Sequence, residues 1–124
     1  MQKLILIGVA GGAGTLARYG VATLAQRLFG AGFPWGTVCV NLIGAFLFGL
    51  VFTLWRERGT LDPEAASILL IGVMGGFTTF SSYVNDLVGL ARGARLAAAG
   101  FDFVLQNVGG VAGFLAGAAL GRHA

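Results

Sequence analysis

The residues best suited to bind an ion lie between Gly72 and Tyr83, in the sequence GVMGGFTTFSSY. This stretch belongs to a long apolar segment, yet it holds the adjacent glycines Gly75 and Gly76, followed by paired threonines and paired serines. An unpaired main-chain group in hydrocarbon is costly, so a helix is interrupted there only where protein, an ion or a water-lined passage satisfies the backbone. The pattern therefore predicts a functional break in a membrane helix.

Two kinds of ion binding fit this stretch. A helix interrupted at Gly75 to Thr79 exposes main-chain carbonyls, which suit a small hard cation. Phe80 and Tyr83 are three positions apart, so their rings share one face if the helix resumes there. The edge of an aromatic ring carries positive partial charge and can help to hold a small anion. Simple packing of the two rings is the alternative.

Two further candidates lie inside apolar segments. Asn41 is the only strongly polar side chain of its segment, and the helical stripe that contains it also includes Thr37, Gly44 and Phe48. A buried amide needs a partner, so Asn41 either joins two helices or faces a polar passage. Arg18 is costly within a span. It either snorkels to the interface, caps main-chain carbonyls, or attracts anions at the mouth of an aqueous vestibule.

Four apolar segments must position these residues. Of the 124 residues, 56% are hydrophobic and only 10% are charged, and the mean hydropathy is +0.85. That composition excludes an ordinary soluble domain. The segments cover about 4–28, 36–55, 65–90 and 96–120, and each reaches the ~20 residues that a spanning helix needs. We predict an all-α membrane protein in which residues 1–124 form one four-span subunit with a break in the third span.

Glycine spacing predicts how these helices pack. Gly8 and Gly12 suggest a close contact made by the first span. The fourth span has glycines at strict fourfold spacing, namely Gly109, Gly113, Gly117 and Gly121. Such a row forms a flat face for tight packing, either within the subunit or at a dimer seam.

Basic residues are divided almost evenly between the two sides of the predicted membrane. One side has Lys3, Arg56, Arg58 and Arg122, and the other has Arg27, Arg92 and Arg95. The positive-inside rule then gives almost no preference, so the chain can insert in both orientations. Insertion in both orientations would favour an antiparallel dimer, whereas a single orientation is the alternative.

The same composition argues against two other classes of protein. The pI is about 9.8, but the basic residues are scattered and form no patch, so we expect no nucleic-acid partner. The lone histidine, His123, is terminal, and no metal-ligand cluster or arrangement of serine, histidine and acid is available. We therefore do not expect an enzyme.

Three motifs together closely resemble the Fluc (CrcB) family of fluoride channels over nearly the whole chain: GGAGTLARY, GTVCVNLIGAFLFG and GVMGGFTTFSSY. The resemblance implies passive export of cytoplasmic fluoride across the cell inner membrane, which relieves fluoride toxicity. It also implies an antiparallel, dual-topology homodimer with two pores. A structural Na⁺ ion is expected at the centre of that dimer.

The resemblance further implies roles for individual residues. Asn41 resembles the pore amide that donates hydrogen bonds to fluoride, and Phe80 resembles the first ring of an aromatic ladder. Gly75 and Thr78 resemble the residues whose main-chain carbonyls bind sodium, supplied by both subunits. The expected pore lining is Asn41, Phe80, Tyr83, Thr37 and Ser82. The expected vestibule or structural polar residues are Arg18, Asp86 and Gln106, with Asp86 standing where the family usually has a glutamate.

The chain departs from the family pattern at two places. The family sequence TTFSTF is here TTFSSY, so Tyr83 replaces the second phenylalanine and adds a hydroxyl group. The fourth span lacks the serines and the tyrosine of the family's polar track, and Asp102, Gln106 and Gly110 lie near the corresponding turns. These departures admit a non-conducting, paralogous subunit of a heterodimer.

Two other functions remain as alternatives. A small proton-coupled exporter of dual topology requires an intramembrane carboxylate, and the first two spans have none. A non-catalytic packing subunit of a membrane assembly would suit the glycine row of the fourth span.

Overall fold

The computed structural model describes residues 1–124, which form helices joined by short connections. In chain order the helices are α1 (Gln2–Phe29), α2 (Trp35–Arg56), α3 (Pro63–Ser67), a π-helix (Ile68–Val73), α4 (Met74–Phe77), α5 (Phe80–Arg92) and α6 (Leu96–His123). Four stretches are long and apolar enough to cross a membrane, namely Gln2–Phe29, Trp35–Arg56, Pro63–Arg92 and Leu96–His123. The prediction of an all-helical protein with four spans is confirmed.

The main chain between α4 and α5 is extended at two residues. Thr78 has φ −78° and ψ 158°, and Thr79 has φ −149° and ψ 108°. Gly75 and Gly76, which the sequence pattern also places in an interruption, are helical residues of α4. Thr79 then caps the next helix, because its Oγ1 accepts a hydrogen bond of 3.2 Å from the main-chain N–H of Ser82.

Other helix ends also follow from local chemistry. Before α3, the carboxylate of Asp62 accepts hydrogen bonds of 2.9 Å from the N–H groups of Glu64 and Ala65, and Pro63 occupies the first turn, where its missing N–H costs nothing. After α1, Gly30 has φ 88°, which only glycine adopts readily. These signals keep the connections between the spans short, and the most extensive packing is between the first and third spans and between the second and fourth.

Glycines bring α1 against the third span. A Cβ added to Gly14 would overlap a main-chain oxygen of the π-helix, and one added to Gly76 would overlap the carbonyl of Gly11. The close contact predicted for Gly8 and Gly12 is wrong within the protomer, because no atom lies within 4 Å of a Cβ at either position. The contact instead uses the adjacent face of α1, where the two backbones touch.

The glycine row of α6 packs on α2 within the same subunit. A Cβ at Gly117 would overlap the carbonyl oxygen of Phe46, and a Cβ at Gly113 would lie 3.4 Å from the carbonyl oxygen of Leu42. From the other side, a Cβ at Gly49 of α2 would overlap the main chain of α6. Close backbone approach of this kind is the usual way in which membrane helices associate, since hydrocarbon provides no hydrophobic drive.

A surface ion pair joins the far ends of α2 and α6. Arg122 Nε donates to Glu57 Oε2 at 2.7 Å. This hydrogen bond, together with the positive charge of Arg122, lowers the pKa of Glu57. Both side chains are about half exposed, so the pair contributes little to stability.

Candidate functional site

A cavity of about 320 Å³ lies where α2, α5 and α6 meet beside the connection between α4 and α5. Its wall includes Asn41, Gly44 and Phe48 of α2, Phe80 and Tyr83 of α5, and Gln106 of α6. The structure therefore brings together four of the residues to which the sequence analysis gives polar or ion-binding roles: Asn41, Phe80, Tyr83 and Gln106. We call this space the Asn41 cavity.

The Asn41 side chain forms a reciprocal pair with the extended main chain of Thr79. The N–H of Thr79 donates to Asn41 Oδ1 at 2.9 Å, and Asn41 Nδ2 donates to the carbonyl oxygen of Thr79 at 3.1 Å. Asn41 Nδ2 also donates to Gln106 Oε1 at 2.7 Å. Because Thr79 is not helical, its main-chain groups need partners outside the helix, and the amide supplies both. Asn41 thus joins α2 to the third span and also lines the cavity.

Gly44 allows this pairing to form. A Cβ at Gly44 would overlap Cγ2 of Thr78 and would lie 3.3 Å from the ring of Phe77. Any larger residue would push the connection between α4 and α5 away from α2. The absence of a side chain one turn after Asn41 is therefore what places Thr79 within reach of the amide.

The two aromatic rings of α5 form the other side of the cavity. The ring centroids of Phe80 and Tyr83 are 5.8 Å apart, and their planes meet at 56°. Phe80 is 76% exposed in the single protomer, whereas Tyr83 is buried. The Tyr83 hydroxyl oxygen accepts a hydrogen bond of 2.9 Å from Asn107 Nδ2, which ties the ring to α6. The hydroxyl hydrogen of Tyr83 is left to donate elsewhere.

Thr37 and Asp86 line a second, larger cavity of about 700 Å³, together with Gln26 and Arg95. Thr37 Oγ1 donates to Asp86 Oδ2 at 2.6 Å. Thr37 precedes Asn41 by one helical turn, so the two cavities follow one another along the same face of α2. We call the larger space the Asp86 cavity.

The remaining predicted polar residues, Ser82 and Arg18, line neither of these cavities. The hydroxyl oxygen of Ser82 accepts a hydrogen bond of 2.9 Å from Thr79 Oγ1, so this side chain supports the N-cap of α5. Arg18 is half-buried in α1, and its side chain forms no hydrogen bond or salt bridge within the protomer. Their roles in ion transport stay predictions.

The carbonyls of Gly75 and Thr78 lack their usual helical donors. The N–H four residues after Gly75 belongs to Thr79 and donates to Asn41 Oδ1. The N–H four residues after Thr78 belongs to Ser82 and donates to Thr79 Oγ1. Main-chain carbonyls without these donors are suitable ligands for a hard cation.

Sequence reasoning missed the polar contacts that α6 makes at the cavities. Asp102 is fully buried, and its Oδ1 accepts a hydrogen bond of 2.8 Å from Gln106 Nε2. The only signal in the sequence was the spacing of four between these two residues, which places them on one helix face. The contact of Asn107 with Tyr83 and the position of Arg95 at the Asp86 cavity had no comparable signal.

Comparison with known proteins identifies the family of the chain. The family model described as CrcB-like protein, Camphor Resistance (CrcB), matches residues 5–118. The chain is 46% identical over 122 residues to the protein named Fluoride-specific ion channel FluC from Solidesulfovibrio magneticus, covering 98% of each chain. Relatives with the same name are 42% identical over 122 residues in Maridesulfovibrio salexigens, covering 98% of this chain and 97% of the relative, and 44% identical over 99 residues in Thermus thermophilus, covering 80% and 78%. Since the match extends over nearly the whole chain and its four spans, this multi-pass membrane protein belongs to the CrcB family.

Proposed function

We propose that the protein is a passive, fluoride-selective channel that exports cytoplasmic fluoride. The observation that carries this proposal is the convergence of the Asn41 amide and the Phe80 and Tyr83 rings on one cavity, in a chain whose relatives are named fluoride-specific ion channels. Channels of this kind perform no covalent chemistry, so the protein is not an enzyme.

The proposed path begins at the Asp86 cavity and continues past Thr37 to the Asn41 cavity. Fluoride is small and holds its water tightly, so a narrow passage must replace that water with hydrogen-bond donors. The Asn41 amide, the Tyr83 hydroxyl and the ring edges of α5 supply such donors and partial positive charge. We assign Ser82 to the support of this wall and Arg18 to attraction of the anion at the vestibule.

The direction of transport follows from general physical chemistry. Fluoride enters cells as the neutral weak acid and loses its proton at the higher internal pH, so the anion is trapped. A negative interior potential then drives the anion outward through any selective leak. Export therefore needs no proton coupling, which separates this proposal from that of a proton-coupled exporter.

Fluoride efflux from proteoliposomes tests the function. Vesicles loaded with fluoride and given a potassium-diffusion potential should release fluoride, measured with a fluoride-selective electrode, without a proton gradient. Chloride-loaded vesicles are the selectivity control. Proton-dependent drug exchange without fluoride efflux would support the exporter instead. Absence of any flux from a correctly assembled protein would support a packing subunit or a non-conducting partner in a heterodimer.

Substitution of Phe80 by isoleucine should reduce fluoride flux roughly tenfold while leaving assembly unchanged, because the ring edge is lost but the apolar volume is mostly kept. Phe103→Ile is the matched control, since Phe103 is also exposed and lines neither cavity. Flux and size-exclusion profiles are measured for both variants. Equal flux in the two variants would remove Phe80 from the proposed path.

The working assembly that we propose is an antiparallel homodimer with two pores, inserted in both orientations. The even division of basic residues supports dual insertion. Exposure of Phe80 and Gly75 at the third span supports a partner that covers this region. Labelling of tags on the two termini in intact cells should find both tags on both sides of the membrane. A single orientation would contradict the antiparallel dimer.

A structural Na⁺ ion at the dimer centre completes the proposed assembly. The carbonyls of Gly75 and Thr78, one pair from each protomer, would hold the ion, since their helical donors are engaged elsewhere. The bound ion would balance the carbonyl dipoles that meet at the seam. Thermal stability of the dimer in sodium should exceed its stability in an organic cation at equal ionic strength, and equal stability in both would contradict the site.

A further inference from the structure

Both hydrogens of the Asn41 amide nitrogen are already in use. One donates to the carbonyl oxygen of Thr79 at 3.1 Å, and the other donates to Gln106 Oε1 at 2.7 Å. A carboxamide nitrogen has only two hydrogens. An anion that is to be bound by Asn41 must therefore replace one of these two acceptors.

Gln106 is the acceptor that an anion can replace. The bond to Thr79 is one half of a reciprocal pair, and the N–H of Thr79 anchors the other half on Asn41 Oδ1 at 2.9 Å. Breaking that pair would leave main-chain groups of the third span without partners. Gln106, in contrast, accepts through a side chain that lines the cavity, so an anion can replace its oxygen without leaving a main-chain group unpaired.

Asp102 fixes which end of the Gln106 amide faces Asn41. Asp102 Oδ1 accepts from Gln106 Nε2 at 2.8 Å, so the oxygen of the Gln106 amide points to Asn41. Oδ2 of Asp102 is buried and has no hydrogen-bond partner. No cation pairs with Asp102 either, because the single salt bridge of the protein is between Arg122 and Glu57. Gln106 is thus the only hydrogen-bond partner of the buried Asp102 carboxyl.

From this geometry we infer that the Gln106 carbonyl is a placeholder for the anion at Asn41, and that Asp102 is the positioning residue that orients the Gln106 amide. The inference rests on the proposed fluoride function and deepens it. In the site without fluoride, the Gln106 oxygen accepts the Asn41 hydrogen bond that fluoride would otherwise accept. A flipped amide would turn its NH₂ group toward Asn41 and its oxygen toward the Asp102 carboxyl, where two acceptors would oppose each other.

Replacing Asp102 with asparagine removes this opposition. The side-chain NH₂ of an asparagine can donate to the Gln106 oxygen, which stabilises the flipped amide. The NH₂ groups of Gln106 and Asn41 then face each other and can share one fluoride ion. We expect the half-saturating fluoride concentration of the Asp102→Asn variant to fall roughly tenfold, which corresponds to one additional hydrogen bond to a charged group.

A double-mutant cycle separates this positioning from the removal of a nearby charge. The four chains are the wild type, Asp102→Asn, Gln106→Leu, and the double variant, each assayed for the fluoride dependence of electrode-recorded efflux. If Asp102 acts through Gln106, Asp102→Asn should lower the half-saturating fluoride concentration roughly tenfold when residue 106 is glutamine. The same substitution should change it less than twofold when residue 106 is leucine. The same tenfold shift in both backgrounds, or no shift in either, would overturn the inference.

A second measurement uses only the wild-type chain, in case a variant does not assemble. The chain has three glutamines, Gln2, Gln26 and Gln106, so selective ¹⁵N labelling of glutamine side chains gives a simple spectrum. Fluoride, but not chloride, should shift one of the three signals, that of Gln106, assigned by the paramagnetic broadening that a spin label on α6 causes. A Gln106 signal that fluoride leaves unchanged in a conducting protein would overturn the inference. A wild-type protein without fluoride flux would instead overturn the proposed function.

Discussion

Asn41→Asp is expected to reduce fluoride flux by roughly a hundredfold, or about 2.7 kcal/mol, which lies within the range for the loss of one hydrogen bond to a charged group. The carboxylate keeps an acceptor for the N–H of Thr79 but has no hydrogen for Gln106, for the Thr79 carbonyl or for fluoride. It also places a negative charge on the wall of the Asn41 cavity. Efflux from proteoliposomes, normalised to the amount of assembled protein, measures the effect.

The matched control for charge is Gln2→Glu, which makes the same change from amide to carboxylate at an exposed helix end. This control should conduct like the wild type. The assignment of Asn41 to the anion path would be refuted if Asn41→Asp retained normal flux. If size exclusion showed that Asn41→Asp does not assemble, the main role of the hydrogen bonds between Asn41 and Thr79 would be in folding and not in conduction.

Gly117→Ala should have the largest effect on folding. A Cβ at Gly117 would overlap the carbonyl oxygen of Phe46 and would lie 3.0 Å from the main-chain nitrogen of Leu50. Neither atom can move without shifting α2, so the two helices must separate along the whole glycine row. Overpacking of a rigid contact costs on the order of 1–3 kcal/mol, and hydrocarbon offers no hydrophobic drive to restore the contact. We expect most of the purified protein to lose its monodisperse assembled form.

Gly100→Ala is the matched control on the same helix, because no atom lies within 4 Å of a Cβ at Gly100. In a helix, alanine is also more favourable than glycine by ~1 kcal/mol. The control should therefore keep or slightly raise the midpoint of thermal unfolding. Equal midpoints for Gly117→Ala and the wild type would show that α2 and α6 do not rely on this close contact.

The architecture could be predicted because it depends on local composition. Each span is recognisable as a run of apolar residues, and the lone amide of Asn41 stands out because an unpaired polar group in hydrocarbon must find a partner. The fourfold glycine spacing of α6 likewise identified a packing face before its partner was known. These properties concern a single helix and its solvent, so the sequence alone determined them.

The partners of the polar groups were decided only by the tertiary structure. Asn41 bonds to Thr79 and Gln106, which are 38 and 65 positions away in the chain. No periodicity predicts such distant contacts. The sequence favoured a helix interrupted from Gly75 onward, but Gly75 and Gly76 are helical, and Gly76 packs closely on α1. The extended residues are Thr78 and Thr79, which Asn41 and Gly44 accommodate.

The same reason explains what sequence reasoning missed at the site. Asp102 was recognised only as a residue near an expected polar track. Its spacing of four from Gln106 places the two on one helix face, but does not show that this glutamine faces Asn41. Hydropathy and spacing report how a helix meets its solvent. Which donor meets which acceptor depends on how helices distant in the chain are brought together, and that is set by the close glycine contacts of α1, α2 and α6.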